Sequence, residues 1–401
     1  MWGLHFCDGR LPVKNREVTL TLRQVSRFQV VQSALEGRHT NAQAAGALSL
    51  SVRQVQRLKR RVEREGPAGV IHGNKGHPPA NKTDPQVKER ILQLAEGPYE
   101  EYNFSHLADT LEDDHGLTIS DETLRLWLRP LGHGGKPYRR KKKHYLRRKR
   151  RDREGKMLFL DGSPHRWFGE DHGPTCLLLS SDDATGKPLW GKFQPQENRD
   201  GCFEVCYQLF KRFGLPGAFY LDRGSQFTTT RRGGSRYEVK SDQEDTHFER
   251  AMKDLGVALI FANSPQARGR GERLNGSFQG RLVNELKLHG IENCEEATRY
   301  LNRTFIPRYA KRFAVEPADP EPAWRPLAEG LDLRSVLCAK FERTVGNDNT
   351  ISFQGVAYQL YPPKTVHHLA KAKVEVQQHF DGSLRIVHPR YGVIQSKRFS
   401  L

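Results

Sequence analysis

The stretch KMLFLDGSPHRWFGEDHGPTCLLLSSDDATGKPLWGKFQ, residues 156–194, decides the fold of the central part of this chain. Short apolar runs rich in Leu, Phe and Trp alternate in it with polar segments that contain Gly and Pro. Such runs are typical of β-strands bounded by turns. The stretch therefore predicts three consecutive strands, at 156–161, 175–181 and 187–194.

Helices and strands alternate after residue 194. The pattern predicts a helix at 199–213, a strand at 217–222, a helix at 245–255, a strand at 257–262 and a long helix after Pro265. Three strands followed by this alternation is the order of the ribonuclease H-like fold, and the strand–helix–strand crossovers imply parallel pairing. We therefore predict an α/β core over residues 155–306, interrupted by a polar surface loop at 228–246.

Three acidic residues occupy places in this core where a reactive site could form. Asp161 and Asp222 each end an apolar strand, and Glu272 lies near the start of the long helix. Each has an ordinary alternative, because an Asp after a strand is often a turn former, and a Glu among arginines can form a weak surface ion pair. Together they suit a two-metal phosphoryl-transfer site, in which oxygen ligands hold two Mg²⁺ (or Mn²⁺) ions about 3.5–4 Å apart.

Other polar residues of the core have weaker claims to a role in the site. His165 is a candidate for positioning water or DNA, and the alternative is a packed structural residue. Asp182 and Asp183 end another strand and are interpreted as turn residues. Arg268, Arg270, Arg273 and Asn275 surround Glu272 and are candidate DNA contacts.

The overall composition favours a polyanionic partner. The chain has 401 residues and a net charge of +18, and its basic residues are clustered, which favours nucleic acid. No apolar run of about 18 residues and no signal-peptide pattern is present, so we expect a cytoplasmic, nucleoid-associated protein. The six cysteines lack metal-ligand spacing, and Cys202 and Cys206 are expected to be reduced core residues.

Residues 17–66 predict a helix-turn-helix that binds DNA. Gly37 ends a first helix, Thr40 begins a short second one, and Ser51 is a plausible N-cap for a helix over 52–65. Val55, Leu58 and Val62 form the inner stripe of that last helix. The opposite face carries side chains that pair with guanine and adenine edges, namely Arg53, Gln56, Arg57 and Arg60.

The remaining segments predict three further parts. Residues 83–133 form a second helical, DNA-binding unit whose exposed face is less basic, so that it packs or reads DNA shape. Residues 134–154 form a basic linker that tracks DNA. Its candidate contacts are Arg139, Arg140, Lys141, Lys142, Arg147 and Arg148. After a Pro-rich linker at 307–330, residues 331–401 alternate as short strands with a hairpin turn at Asp381-Gly382, which predicts a small β-barrel.

Four ordered motifs resemble the integrase core of bacterial insertion-sequence transposases, most closely the ISNCY kind. They are LDGSPHRWF (160–168), DDATG (182–186), YLDRGSQF (220–227) and NSPQARGRGERLNG (263–276). The resemblance runs from about residue 17 to 360, and it implies that Asp161, Asp222 and Glu272 are a DDE triad. One departure is Gly271, where the family usually has a valine; glycine loosens the helix start by about 1 kcal/mol.

The resemblance implies a DNA transposase that binds the terminal inverted repeats of an element and catalyses Mg²⁺-dependent 3′-end cleavage and strand transfer. Its partners would be double-stranded DNA, both element ends and target, and further copies of itself in a dimer or tetramer, because two ends must be held together. One alternative is a catalytically inactive, transposase-derived regulator that only binds DNA. Another is a structure-specific nuclease, which would leave the N-terminal sequence-reading domain unexplained.

Overall fold

The computed structural model describes residues 18–75, 82–133, 148–222, 246–261 and 269–399. The chain divides into two compact units, Met1–Lys88 and Glu89–Leu401. Within the described ranges, no helix is long and apolar enough to cross a membrane.

The first unit is the predicted helix-turn-helix. Its helices are α1 (Leu22–Leu35), α2 (Asn41–Leu48) and α3 (Val52–Glu65). The hydroxyl of Ser51 accepts a hydrogen bond from the amide of Gln54, as an N-cap should. The apolar faces meet around Val31 and Val55, which are fully buried. A 3₁₀ turn, Gly66–Val70, packs back on α3 and continues this fold beyond the end of that helix.

The second helical unit also forms as predicted. It consists of α4 (Pro85–Glu96), α5 (Phe104–His115), α6 (Asp121–Leu128) and a 3₁₀ turn (Arg129–Leu131). Ser120 caps α6 by accepting a hydrogen bond from the amide of Thr123 at 3.2 Å. Apolar residues at helical spacing are buried on these helices, at Ile91, Leu107, Leu111, Leu124 and Leu128.

A five-stranded sheet with strand order β3-β2-β1-β4-β5 forms the core. Its strands are β1 (Leu158–His165), β2 (Thr175–Asp182), β3 (Pro188–Gln194), β4 (Ala218–Leu221) and β5 (Ala258–Phe261). The first three pair antiparallel, and β4 and β5 run parallel to β1, the parallel pairing that the strand–helix–strand crossovers implied. Helices α7 (Arg199–Phe213) and α8 (His247–Asp254) connect the parallel strands and pack on the sheet.

Strand β1 is longer than predicted, and this corrects the position of Asp161. The strand was expected to end at Asp161, but its antiparallel ladder with β2 continues to His165, opposite Thr175. Pairing with β4 on the other side is recorded only for Leu158 and Phe159. Asp161 therefore lies inside β1, just past its paired segment with β4.

The long helix predicted after Pro265 is broken into α9 (Gly269–Gln279) and α10 (Leu282–Leu288). It is followed by α11 (Cys294–Tyr300), a π-helical turn (Leu301–Phe305) and α12 (Ile306–Phe313). These helices cover the other face of the sheet. Phe278 and Phe305 of the helical segment pack there in one buried cluster with Trp167 and Phe193 of the sheet side. Helix α12 occupies the start of the predicted linker at 307–330, and Pro307 is tolerated in its first turn because that amide has no helical acceptor.

The C-terminal part is an open sheet rather than the predicted closed barrel. A short helix, α13 (Leu333–Val336), precedes β6 (Cys338–Thr344), β7 (Thr350–Phe353), β8 (Val356–Tyr361), β9 (Lys373–His379), β10 (Leu384–His388) and β11 (Gly392–Phe399). The strand order is β6-β9-β10-β11-β8-β7, a half-barrel with β6 and β7 at its edges. Strand β6 lies against α8, where Arg250 donates to the carbonyl oxygen of Cys338 and the ring of His247 meets that of Phe341. Its packing on the core replaces closure of a barrel.

Candidate active site

Two of the predicted catalytic carboxylates lie at one pocket. Pairing of Phe159 with Tyr220 sets β1 and β4 in register, and two residues further along each strand come Asp161 and Asp222. Both are half-buried, and both line a pocket together with Phe159, Leu160, Tyr220 and Gly271. The parallel pairing of β1 and β4 therefore brings these two residues, 61 positions apart by number, to one place.

Helix α9 lies along β1 and supplies the third side of the pocket. The amide of Asn275 donates to Oδ2 of Asp161 at 3.0 Å, and Gln279 donates to the hydroxyl of Ser163 at 3.1 Å. Gly271 is buried, and a β-carbon there would lie 3.7 Å from Oδ2 of Asp161, an ordinary contact distance. The valine that the family usually has at this position would therefore place its β-carbon in ordinary van der Waals contact with Asp161. Asn275, expected to touch DNA, holds a carboxylate in this structure.

Glu272 does not line this pocket. It is exposed in the first turn of α9, one residue beyond Gly271. In the described ranges, no group of three His, Cys, Asp or Glu side chains is arranged to hold a metal ion. The structure therefore brings Asp161 and Asp222 together and leaves Glu272 exposed on α9, outside the residues that line the pocket. Oxygen donors of this type fit Mg²⁺ or Mn²⁺.

A further carboxylate, that of Glu197, lies against β1 at the residue after Asp161, and no sequence motif indicated it. A β-carbon on Gly162 would overlap the carboxylate of Glu197, so this glycine allows Glu197 to approach β1 next to Asp161. Burial, together with the nearby charges of Glu197 and Asp161, raises the pKa of the Cys176 thiol to about 12. Nothing in the spacing of residues 162 and 197 signals this contact, because it depends on how the segment before α7 crosses β1.

Asp182 and Asp183 have different roles. Asp182 is the turn residue that was expected, since its carboxylate accepts hydrogen bonds from the amide and the hydroxyl of Thr185 at 2.8 Å. Asp183 binds two guanidinium groups instead, those of Arg148 and Arg270. Both arginines were predicted DNA contacts, and in this structure each is partly neutralised by Asp183.

The other predicted residues are placed as follows. Arg53, Gln56, Arg57 and Arg60 are all exposed on α3, opposite the buried Val55. His165 ends β1 with its ring 5.3 Å from that of Trp167. Arg273 is exposed and donates to the carbonyl oxygen of Gly269 at 2.8 Å. The positions that lie outside the described residues are Arg139, Arg140, Lys141, Lys142, Arg147 and Arg268.

The cysteines agree with the expected reduced state. Cys202 and Cys206 are free, fully buried side chains on the inner face of α7. Burial raises the pKa of both thiols well above the usual value, which keeps them neutral.

Two family models match the N-terminal part of the chain. A helix-turn-helix domain matches residues 26–79, and a homeodomain-like domain matches residues 54–128. Together they cover α1–α6, the two helical units that the sequence pattern predicted.

The full-length relatives agree with the resemblance drawn from the motifs. The putative transposase y4bF of Sinorhizobium fredii is 35% identical over 92% of this chain and 79% of its own length. The transposase for insertion sequence IS1202 of Streptococcus pneumoniae is 28% identical over 90% of this chain and 84% of its own length. Among solved structures, the HTLV-2 integrase catalytic core in complex with magnesium aligns with 39% of this chain and 90% of its own, at 16% identity and a TM-score of 0.27, too low to add to the argument. On the strength of the sequence relatives, the chain belongs to the DNA transposases of bacterial insertion sequences.

Proposed function

We propose that this transposase is a DDE enzyme that cuts the 3′ ends of its element and joins them to target DNA in a metal-dependent reaction. The observation that carries the proposal is the pocket lined by Asp161 and Asp222 on neighbouring parallel strands, with α9 against it. Helix α9 also carries Glu272 in its first turn. The proposed site therefore draws its carboxylates from three separate elements, and two of the three, Asp161 and Asp222, line the pocket in the structure.

Each residue has a defined task in the proposed reaction. Asp161, Asp222 and Glu272 would be the carboxylates that hold two Mg²⁺ or Mn²⁺ ions. When bound, two such ions polarise the phosphodiester and activate first water and then the 3′ hydroxyl. Asn275 restricts the rotation of Asp161 through its 3.0 Å hydrogen bond. Because water and DNA hydroxyls are the nucleophiles, the reaction uses no covalent enzyme intermediate.

The exposure of Glu272 is consistent with assembly of this site on substrate binding. Three carboxylates crowded in one place repel one another, which favours an open arrangement until cations offset the charge. A change of side-chain rotamer brings a helix residue inward without moving the backbone. We therefore expect Glu272 to complete the ligand set when metal and DNA bind.

The chain outside the core supplies the DNA-binding surfaces of the proposed enzyme. The exposed face of α3 reads the terminal inverted repeats in the major groove. The basic stretch at 134–154 follows the phosphate backbone. A homo-oligomer, dimer or tetramer, holds two element ends and the target DNA together.

One observation favours a second candidate, a DNA-binding regulator without catalysis. Glu272 lies outside the pocket lining, and the described residues contain no preformed three-carboxylate site. A chain that had lost catalysis would keep α3 and its binding to terminal repeats. Catalytic activity of the unaltered protein separates the two candidates.

The test uses a duplex with the inverted repeat from the DNA that flanks the gene, incubated with Mg²⁺ or with EDTA. Asp161→Asn and Glu272→Gln should each lower the rate of strand nicking by at least about a hundredfold, because each removes a metal ligand. Binding of the same duplex in EDTA should change by less than about threefold, since no side chain that reads DNA is altered.

The matched control is Asp254→Asn, an exposed carboxylate at the end of α8. It should nick at the rate of the unaltered protein. Full activity of Asp161→Asn would refute the proposed enzyme. Repeat binding by an unaltered protein that never nicks or joins DNA would establish the regulator instead.

A further inference from the structure

Asp183 is a buried carboxylate with an unusual set of partners. It lies directly after β2 and is 0% exposed. Its two oxygens accept hydrogen bonds from Arg148 at 2.6 and 3.2 Å, from the amide of Arg151 at 2.8 Å, and from Arg270. A buried charge is costly unless it is paired and hydrogen-bonded. The cationic partners are therefore part of what makes this position possible.

Arg270 connects Asp183 to the catalytic helix. It belongs to the first turn of α9, two residues before Glu272. Further along the helix, Asn275 holds Asp161 at 3.0 Å. The start of α9 is therefore fixed at two points, one on β1 and one after β2, and Glu272 lies between them in the chain. Loss of either point frees the first turn to fray, since its amides lack helical acceptors.

Arg148 brings the end of the basic stretch to the same place. Besides its ion pair with Asp183, its guanidinium group lies 5.6 Å from the ring centre of Tyr220, which lines the pocket. Arg270 also donates to the carbonyl oxygen of Arg148. One buried carboxylate thus holds both the segment that enters the core and the first turn of α9.

We infer that Asp183 is a positioning residue for the proposed reaction: through Arg270 it holds the first turn of α9 where Glu272 can join Asp161 and Asp222. This inference rests on the proposed function. It assigns Arg270 a contact within the protein as its main role, in place of a contact with DNA.

Two substitutions that change the net charge in opposite directions test this inference. Asp183→Asn makes the site more positive by one charge, and Arg270→Gln makes it less positive by one. If the ion pair positions Glu272, both should lower the nicking rate at saturating DNA by about tenfold, the usual effect of losing a charge-assisted hydrogen bond. Both should also raise the Mn²⁺ concentration for half-maximal binding to the DNA complex, measured by electron paramagnetic resonance.

The double variant provides the second criterion. If both residues act through one ion pair, Asp183→Asn with Arg270→Gln should be no slower than the worse single variant. Arg270→Lys, which keeps the charge, should recover part of the rate. Arg299→Gln is the matched control: it removes the same charge from an exposed ion pair with Glu295 on α11, away from the pocket. It should leave Mn²⁺ binding unchanged.

Three results would overturn the inference. One is a Mn²⁺ affinity and a nicking rate in Arg270→Gln equal to those of the unaltered protein. Another is weaker repeat binding in Arg270→Gln and tighter binding in Asp183→Asn with the rate at saturation unchanged, which would make Arg270 a DNA contact. The third is equal loss of rate in Arg299→Gln. If Asp183→Asn fails to fold, Arg270→Gln still decides, because Asp183 keeps Arg148 as a partner.

Failure of the proposed function gives a different pattern. In that case Asp161→Asn and Glu272→Gln would leave nicking unchanged or there would be no nicking to alter. Failure of the positioning role alone leaves those two variants inactive while Asp183→Asn and Arg270→Gln keep their Mn²⁺ affinity.

Discussion

Helix α3 of the first helix-turn-helix presents Arg53, Arg57 and Arg60 to solvent, whereas helix α5 of the second helical unit presents acidic side chains to arginines of the core. The two units are alike in build, each with a Ser-capped last helix. They differ in what surrounds their charged faces. The comparison shows that the charge of a helix face does not by itself predict whether the face is exposed to solvent or packs against other parts of the protein.

The acidic face of α5 is used inside the protein. Asp109 accepts from Arg281 at 2.7 Å and from Arg312 at 2.9 Å. The neighbouring acids Glu112 and Asp113 also bind Arg312, at 2.9 and 2.7 Å. The sequence was compatible with a unit that packs and with one that reads DNA shape. In the structure, α5 packs against the core.

Helix α6 is also a poor match for a phosphate backbone. Its first turn carries Asp121 and Glu122, and the latter is paired with Arg125. Acids stabilise a helix N-terminus, but they repel DNA. We therefore expect α3 to carry most of the sequence-specific binding.

The largest effect is expected from removing exposed arginines of α3. Replacing Arg57 and Arg60 together by Ala should weaken binding of the terminal-repeat duplex by about a hundredfold or more, since each base contact is worth about 1–3 kcal/mol. Fluorescence anisotropy across a salt series measures both the affinity and its salt dependence. Each lost phosphate contact should reduce the slope by about 0.9.

The control for this prediction is Arg129→Ala, an exposed arginine just after α6. Its affinity should change by less than about threefold, because we expect α6 to stay out of the major groove. Equal losses in the two proteins would mean that both helices read DNA.

An effect of intermediate size is expected from weakening the ion pairs between α5 and the core. Asp109→Asn should lower the free energy of unfolding by about 2 kcal/mol, because Arg281 and Arg312 both lose a charge-assisted hydrogen bond in a partly desolvated site. Denaturant unfolding measures it. Repeat binding by the folded variant should be unaltered.

Glu112→Gln provides the matched control, since the side chain of Glu112 is 48% exposed and also binds Arg312. Its cost should stay below about 0.5 kcal/mol, as for exposed ion pairs. A cost for Asp109→Asn equally small would mean that α5 touches the core without stabilising it.

Local pattern was enough to predict much of the fold. The bounds of α3 and α7 and the succession of strands and helices in the core follow from apolar periodicity, capping residues and the alternation of helix and strand. These signals come from residues close together in the chain, so a single sequence contains them.

What the sequence missed depends on contacts between distant residues. Asp183 meets partners 35 and 87 positions away, and no local rule distinguishes it from the turn residue Asp182. The extra length of β1 reflects its ladder with β2, and the open C-terminal sheet reflects the packing of β6 on α8. For the site, the motifs placed Asp161 and Asp222 at one pocket, but the orientation of Glu272 is a matter of side-chain packing that no motif encodes.

The smallest expected effect concerns the buried centre of the contact between α5 and the core. His106 is 2% exposed, and its Nε2 lies 3.0 Å from the carboxylate of Glu285, which also accepts from Tyr300 at 2.6 Å. Burial lowers the pKa of His106, and it outweighs the opposite effect of Glu285. Nδ1 of this ring is buried with no hydrogen-bond partner in the described structure, so protonation would create a buried donor without an acceptor.

This lowered pKa gives the expected pH dependence its sign. Between the ordinary histidine value of about 6.5 and the lower folded value, the unfolded chain binds the proton and the folded chain does not. The stability associated with neutral His106 is therefore complete above the unfolded value and is lost as the pH falls toward the folded one. The pKa of Glu285 is also lowered, so its protonation reduces the stability only below about pH 4.5. The interval from pH 7.5 to 5.5 therefore isolates the effect of the histidine.

Thermal unfolding at several pH values in that interval tests this, with His106→Gln as the comparison because Gln can still donate to Glu285. The unaltered protein should lose stability faster on acidification, by at most about 1.4 kcal/mol per pH unit, the limit for one proton. His247 and His379 also have lowered pKa values through burial, but they are present in both proteins and cancel in the difference. Identical slopes would show that His106 does not titrate with unfolding, and that the packed face of α5 depends on its exposed ion pairs rather than on its buried centre.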